Sequence, residues 1–337
     1  MRTGANHRSL PRCLTTLVAG TLASLTLATV AQAQNAQAWP AKPVKVIAAY
    51  PTGSGPDSVL RVLGDKLNKL WGQQIIIENK PTANGLVAGE AARNSPADGY
   101  TLLMFDDAHI NANPRLYKKM PFDIQRDLEP VARLYQTYFF FVVKSDSPWK
   151  TIPDLIAAAK ARGDKMTYGS WGIGSVGHLA VVGFENLTGT EMTHVPFQGV
   201  TLLYPAIGNG EVDWGFGTVA SSGAVARAGK IRYLAAAAPK RVVGYPDIPT
   251  IGEAGGSPDF EVRAWVALLA PRGVPAPIIA KINADVNRTL ADPDVRERLA
   301  TMGFEPYPGT TADLAQSIEI GGKRMAGLIE RAKVSLD

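Results

Sequence analysis

Two stretches of this chain follow one plan: a short apolar strand, a turn built from Gly and Ser, then an amphipathic helix. The first runs through "VIAAYPTGSGPDSVLR" at 46–71, the second through "MTYGSWGIGSVGHL" at 166–188. A strand that enters a helix through a glycine turn is the unit of an α/β sheet. The backbone N–H groups at the helix start then point past the strand end, where they can hold an anion. A chain of 337 residues accommodates two domains at about 100–200 residues each. We expect two such domains, each offering one glycine-rich loop to a shared cleft.

The rest of the chain keeps this rhythm. Helix 58–71 places Leu60, Leu63, Leu67 and Leu70 on one face at spacings of three and four. "QQIIIEN", the turn "PTANG", a helix from about Val87 to Asn94 and "DGYTLLMF" continue the strand–helix alternation. The long aromatic and β-branched run "VARLYQTYFFFVVK" reads as a strand leaving one domain for the next, at about 134–142. The pattern restarts near 150, and "FEVRAWVALLAPRGVP" reads as a strand crossing back at about 258–268. In the helical tail Ile279, Ile282, Val286 and Leu290 form one stripe, and Val295, Leu299 and Met302 belong to the next helix. Thr311 is a candidate cap for a last helix that Gly321-Gly322 is expected to break.

The first residues set the compartment. Arg2, Arg8 and Arg12 precede an apolar run from Leu14 to Val30, and Ala31-Gln32-Ala33 is a small-x-small cleavage site. Residues 1–33 are read as a signal peptide. They hold Cys13, the sole cysteine, and three Arg without an acid, leaving 32 basic and 30 acidic residues. Such a chain folds without disulfides, which suits a periplasm. Its near-neutral balance, with no Lys/Arg block, argues against nucleic acid.

Nucleotide chemistry fails on residues. No Gly-Lys follows Gly53 at Walker spacing, and Ser58 stands where a dinucleotide fingerprint needs its third glycine, with Asp57 facing the phosphates. A serine hydrolase of the α/β class is the alternative. Around Ser175, Ile173 replaces the first glycine of Gly-x-Ser-x-Gly, and His178, Asp57 and Asp213 are the partners available on paper. His109, His178 and His194 lack ligand spacing, so no metal and no cofactor are expected. Small-anion binding needs least: two helix starts plus the hydroxyls of Ser54, Ser170, Ser175 and Thr218.

Motif order over some 250 residues resembles one family. "WPAKPVKVIAAYPTGSGPDSVLRVLGDKL" matches its opening at Gly53, Asp57 and Arg61, and "IIIENKPTANGLVAGEAARNSPADGYTLLM" matches its next block. "YGSWGIGSVGHL", "HVPFQGVTLLYPAIGNGEVD", "PDIPTIGEAG" and "LLAPRGVPAPIIAKIN" complete the likeness. The chain resembles the Bug (TctC-like) family, the extracytoplasmic solute receptors of tripartite tricarboxylate transporters. The resemblance implies an α/β, two-lobed periplasmic binding protein of type II (venus-flytrap), with a hinge of two crossing strands and no catalysis. Lobe 1 would comprise 34–137 and 260–337, and lobe 2 would comprise 138–259. The ligand would be a small carboxylate or related aromatic acid or amide. The partner would be the membrane subunits of such a transporter, or a sensor kinase, and the receptor a monomer.

Carried over by motif, the ligand contacts are Thr52, Gly53 and Ser54 in one lobe and Ser170, Gly172, Gly174 and Ser175 in the other. Tyr50 and Asp57 flank the first loop and are counted with them, as are Asp106, Trp171 and Thr218. Asp57 has two readings: an early helix residue favoured by the helix dipole, or a group facing the cleft. Several positions depart from the family pattern. Ser54 stands for its second glycine, Trp171 for a small residue and Val200 for a common glycine. Gly217-Thr218 replaces a frequent Asp-Asn, and Asp106-Asp107 occupies a strand end where Ser or Thr is common. Trp171 would favour a flat aromatic ligand if it lines the cleft.

Overall fold

The computed structural model describes Met1 and residues 39–336, so the leader and its cleavage point at Ala33 lie outside the described residues. The first lobe contains β1 (Val44–Ala48), α1 (Gly55–Trp71), β2 (Ile75–Asn79), α2 (Leu86–Arg93), β3 (Thr101–Asp106), α3 (Asp107–Asn111) and β4 (Leu128–Tyr138). The chain then supplies β5 (Phe140–Lys144), α4 (Ile152–Arg162), β6 (Thr167–Ser170), α5 (Val176–Thr188), β7 (Thr193–Pro196), α6 (Val200–Asn209), β8 (Trp214–Gly217), α7 (Val219–Arg227) and β9 (Ile231–Ala236) to the second. It returns through β10 (Arg263–Pro271), α8 (Ala276–Leu290), α9 (Pro293–Thr301), β11 (Phe304–Pro306) and α10 (Thr311–Ala332).

Two sheets result, with matching orders. The first runs β11-β4-β10-β3-β1-β2 and the second β7-β6-β8-β5-β9. In each, three parallel strands come from successive strand–helix units, β2-β1-β3 and β7-β6-β8. An antiparallel strand beside the third continues the sheet: β10 next to β3, and β5 next to β8. The sequence echo between 46–71 and 166–188 is thus a topological equivalence.

Phe139 alone separates β4 from β5, so the chain changes sheets over a single residue. The returning segment runs beside it. Phe139 N–H donates to Val262 O (3.0 Å), Ala237 N–H to Phe139 O (2.8 Å) and Val262 N–H to Ala237 O (3.0 Å). Two crossings joined by hydrogen bonds at one point form a hinge.

The packing follows the apolar pattern, with three corrections. On α1 the buried set is Val59, Leu60, Leu63, Leu67 and Trp71, whereas Leu70 is exposed. At 3.6 residues per turn the stripe drifts, and Trp71 takes the inward position, donating Nε1–H to Asp285 on α8 (2.8 Å). The α8 stripe of Ile279, Ile282, Val286 and Leu290 is buried against it, and each such side chain contributes roughly 1.5–3 kcal/mol. The last helix is unbroken across Gly321-Gly322, and Thr310, not Thr311, caps it in a box with Asp313. A Cβ on Gly321 would lie 2.4 Å from Asn111 Nδ2, so the glycine serves close packing of α10 on α3. Further along, Met325 and Ile329 of α10 pack with Leu179 of α5 and with Leu116, tying the last helix to both lobes.

Candidate functional site

All twelve candidate residues sit at or just beyond the carboxyl ends of parallel strands. Tyr50, Thr52, Gly53, Ser54 and Asp57 follow β1, and Asp106 ends β3. Ser170 ends β6, with Trp171, Gly172, Gly174 and Ser175 after it, and Thr218 follows β8. Crevices in open α/β sheets lie at such edges, where the strand order reverses. Here the reversals fall between β1 and β3 and between β6 and β8.

The two glycine loops are built alike. Gly53 (φ +79°) and Gly174 (φ +74°) occupy the left-handed region that favours glycine. Ser54 and Ser175 follow in extended conformation as N-caps, accepting from Asp57 N–H (3.4 Å) and His178 N–H (3.3 Å). Each glycine N–H is bound by the side chain four residues on: Gly53 to Asp57 Oδ2 (2.8 Å), Gly174 to His178 Nδ1 (3.0 Å). These two amides are therefore occupied within the chain, and the serine hydroxyls and neighbouring backbone form the surface of each loop.

In the first lobe Asp57 is the hub of the loop, and it is 1% exposed. Besides Gly53 it binds Arg61 Nε (2.9 Å) and Asn79 Nδ2 (2.9 Å). Burial opposes its charge, but the bonds from Arg61, Gly53 and Asn79 outweigh this and hold the carboxyl below its ordinary value. Asn79 also donates to Tyr50 O (3.0 Å) and accepts from exposed Thr52 Oγ1 (3.0 Å). Tyr50 is buried with its ring edge-on to His109 at 5.5 Å and its hydroxyl beside the Asp106 carboxylate. Asp106 caps α3 through His109 N–H (2.9 Å) and meets His109 Nδ1 at 2.6 Å. Burial raises its carboxyl, but His109 outweighs burial and lowers it. Asp107, wholly buried, is pushed up to about 7 by burial and the Asp106 charge, and it contacts Arg324 at 3.3 Å.

In the second lobe Ser170 Oγ lies 2.7 Å from His194 Nε2, donates to Gly172 O (2.9 Å) and accepts from Gly172 N–H (3.2 Å). The imidazoles of His178 and His194 stack with centroids 4.0 Å apart, and Tyr168 stacks on His194 at 4.9 Å. Burial pushes both histidines down to about 4, so they are neutral near pH 7. Half-buried Trp171 stacks on Phe139 (5.7 Å, 13°) and covers Gly177, where a Cβ would meet its ring at 2.5 Å. It is braced between hinge and helix start. Thr218 caps α7 in a box with Ser221, which also meets the Tyr204 hydroxyl at 2.9 Å.

The lobes approach each other at these loops. A Cβ on Gly55 would lie 3.2 Å from Ala220 Cβ, and one on Gly174 2.5 Å from Leu116. The paper triad is not assembled. Ser175 caps a helix, His178 Nδ1 is taken by Gly174, and Asp57 pairs with Arg61. Asp213 is bound by Arg162 (2.8 Å) and by Thr167 N–H (2.7 Å). Among the described residues no group of His, Cys, Asp and Glu converges to hold a metal, and no helix is long and apolar enough to cross a membrane. Sequence reasoning missed Asn79, His178 and His194 as the groups that hold the loops. The signal available was positional: His178 stands four residues after Gly174 as Asp57 does after Gly53.

Two α/β lobes on a double crossing, with matched loops at their facing edges, define the class of two-lobed periplasmic binding proteins. Residues 59–334 match the TctC family, described as "Tripartite tricarboxylate transporter family receptor". The chain belongs to this Bug/TctC family of extracytoplasmic solute receptors. Protein BugT of Bordetella pertussis is 28% identical over 308 residues, covering 91% of this chain and 94% of its own. The solved structure of Rhodopseudomonas palustris Rpa4515 with adipate superposes with a TM-score of 0.80 at 30% identity, covering 88% of this chain and 99% of that one. MatC from the same organism, with bound malate, gives 0.74 at 30% identity, covering 86% and 100%.

Proposed function

We propose that this protein is a periplasmic receptor. Cut after Ala33, it captures a small carboxylate, or a related aromatic acid or amide, between its lobes and delivers it to a tripartite tricarboxylate-type transporter or a sensor kinase. It binds without turnover and acts as a monomer. The observation that carries this reading is the pair of matched loops, Gly53-Ser54 and Gly174-Ser175, one at the facing edge of each lobe. The adipate and malate held by its relatives support the ligand class.

The contacts are assigned to Thr52, Gly53 and Ser54 on one side and to Ser170, Trp171, Gly172, Gly174, Ser175 and Thr218 on the other. Tyr50 and Asp106 form the floor, and Asp57 acts through the loop it holds. Residues 34–137 with 260–337 move as lobe 1 and 138–259 as lobe 2. A thermal-shift screen of the mature protein against carboxylates, aromatic acids and amides tests this, followed by calorimetry and small-angle scattering on each hit. Binding with a smaller radius of gyration and no chemical change in the ligand is expected. Conversion of the ligand, or binding without compaction, overturns the reading.

A further inference from the structure

A cavity of about 530 Å³ runs along α5 of the second lobe from Val176, the residue after the Ser175 cap, and is walled also by the returning crossing and the second half of α10. Its body is apolar, formed by Leu179, Leu187, Phe260, Val262, Met325 and Leu328. The volume is in the range of small-molecule sites. Gly183, in the middle of α5, keeps it open. A Cβ there would rest 3.5 Å from Leu328 and 3.8 Å from Phe260, which is ordinary contact. Alanine would fit and is the better helix former, so crowding does not demand this glycine. Leu187, half exposed, stands at the mouth.

The rim carries four cations, three of them held in ion pairs. Arg263, Lys323, Arg324 and Arg331 border the cavity against Asp259 and Glu261. Glu261 is used by Arg263 (3.1 Å) and Lys323 by Glu319 (2.7 Å). Arg324 shares Asp107 at 3.3 Å, and Arg331 has no ion pair among the described residues. What remains is an apolar pocket with the guanidinium of Arg331 at its edge, Arg324 beside it in its pair with Asp107, and the carboxylate of Asp259 on the same rim.

We propose that this cavity is a second binding site, for an amphipathic monocarboxylate whose apolar body fills the space beside Gly183 while its carboxylate meets Arg331. The walls belong to both lobes: α5 starts at the Ser175 cap, and α10 packs on β4 and α3 of the first lobe. An occupant therefore contacts both sides of the hinge and favours one lobe spacing over the others. This inference stands apart from the assignment of the cleft.

Calorimetry with decanoate as the probe, on the mature protein, tests it. Saturable one-to-one binding is expected, weakened about tenfold or more by Gly183→Leu, which fills the cavity. Arg331→Gln should weaken it about threefold or more, with a shallower salt dependence. Circular dichroism checks the fold of each variant, and Leu328→Trp fills the same space from α10 if Gly183→Leu does not fold. Absence of saturable decanoate binding, or unchanged affinity in a folded cavity-filling variant, overturns the proposal. So does loss of decanoate in Trp171→Ala but not in Gly183→Leu, which would place the acid in the interlobe cleft and leave the receptor reading standing.

Discussion

Replacing Asp57 with alanine separates a residue that holds the loop from one that touches ligand. The carboxylate is buried and accepts from Gly53 N–H, Asn79 Nδ2 and Arg61 at 2.8–2.9 Å. Arg61 is half exposed, so its pair is left out of the sum. Hydrogen bonds to a charged group contribute about 1.5–3 kcal/mol each, but exposed Gly53 regains water when its acceptor is lost, and half-buried Asn79 does so in part. The net cost is about 2 kcal/mol, which lowers the melting temperature by about 3 °C for a chain of about 300 residues.

The pH dependence has a definite sign. Because the folded carboxyl is held below its ordinary value, its stabilisation is present above about pH 4, the unfolded value, and is lost as pH falls further. The melting gap between wild type and Asp57→Ala should therefore be full at pH 7 and shrink below about pH 4. Calorimetric melts across that range provide the measurement. A variant that melts within about 1 °C of wild type yet fails to bind ligand would refute this reasoning, because Asp57 would then act on the ligand itself.

Three other outcomes are expected. The buried histidines give stability of the opposite pH sense to a paired histidine: the unfolded chain takes up protons near 6.5 while His178 and His194 resist until about 4, so stability falls as pH drops through that window. Melting temperatures should decline there, and His194→Gln should flatten the decline. Calorimetry should show an aromatic monoacid binding wild type ahead of citrate, with Trp171→Ala weakening the aromatic acid selectively. Gly321→Val, which drives a side chain into Asn111, should cost about 2 kcal/mol in chemical denaturation without moving ligand affinity.

The strand–turn–helix units were legible because their cues are local. Apolar runs, Gly-Ser turns and the α8 stripe all fall within a few turns of chain, and β1, β3, β6 and β8 lie where those cues place them. The insertion of β10 between β3 and β4 pairs residues more than a hundred positions apart, and no local pattern encodes that choice. Gly321-Gly322 misled for the same reason. Low helix propensity was visible, whereas the compensating contact with α3 comes from Asn111, far away in the chain. In the site, the serines and glycines were readable from the motif. Asp57 and His178 as equivalent acceptors were harder to see, since a carboxylate and an imidazole share no chemical likeness and are matched only by their spacing from the loop glycine and the amide each receives.

The central position of β10 also orders the assembly of the molecule. The second sheet is complete once the chain reaches Ala236, whereas the first waits for Arg263–Pro271 to fill the gap between β3 and β4. A polypeptide threading out of a membrane from its N-terminus can close its inserted lobe while the strands made first are still unpaired along one edge. Those early strands are the ones exposed longest to wrong partners. In pulse-labelled hydrogen exchange during refolding, the amides of β5 and β8 should gain protection ahead of those in β3, and the lobe that begins the chain should be the last to close.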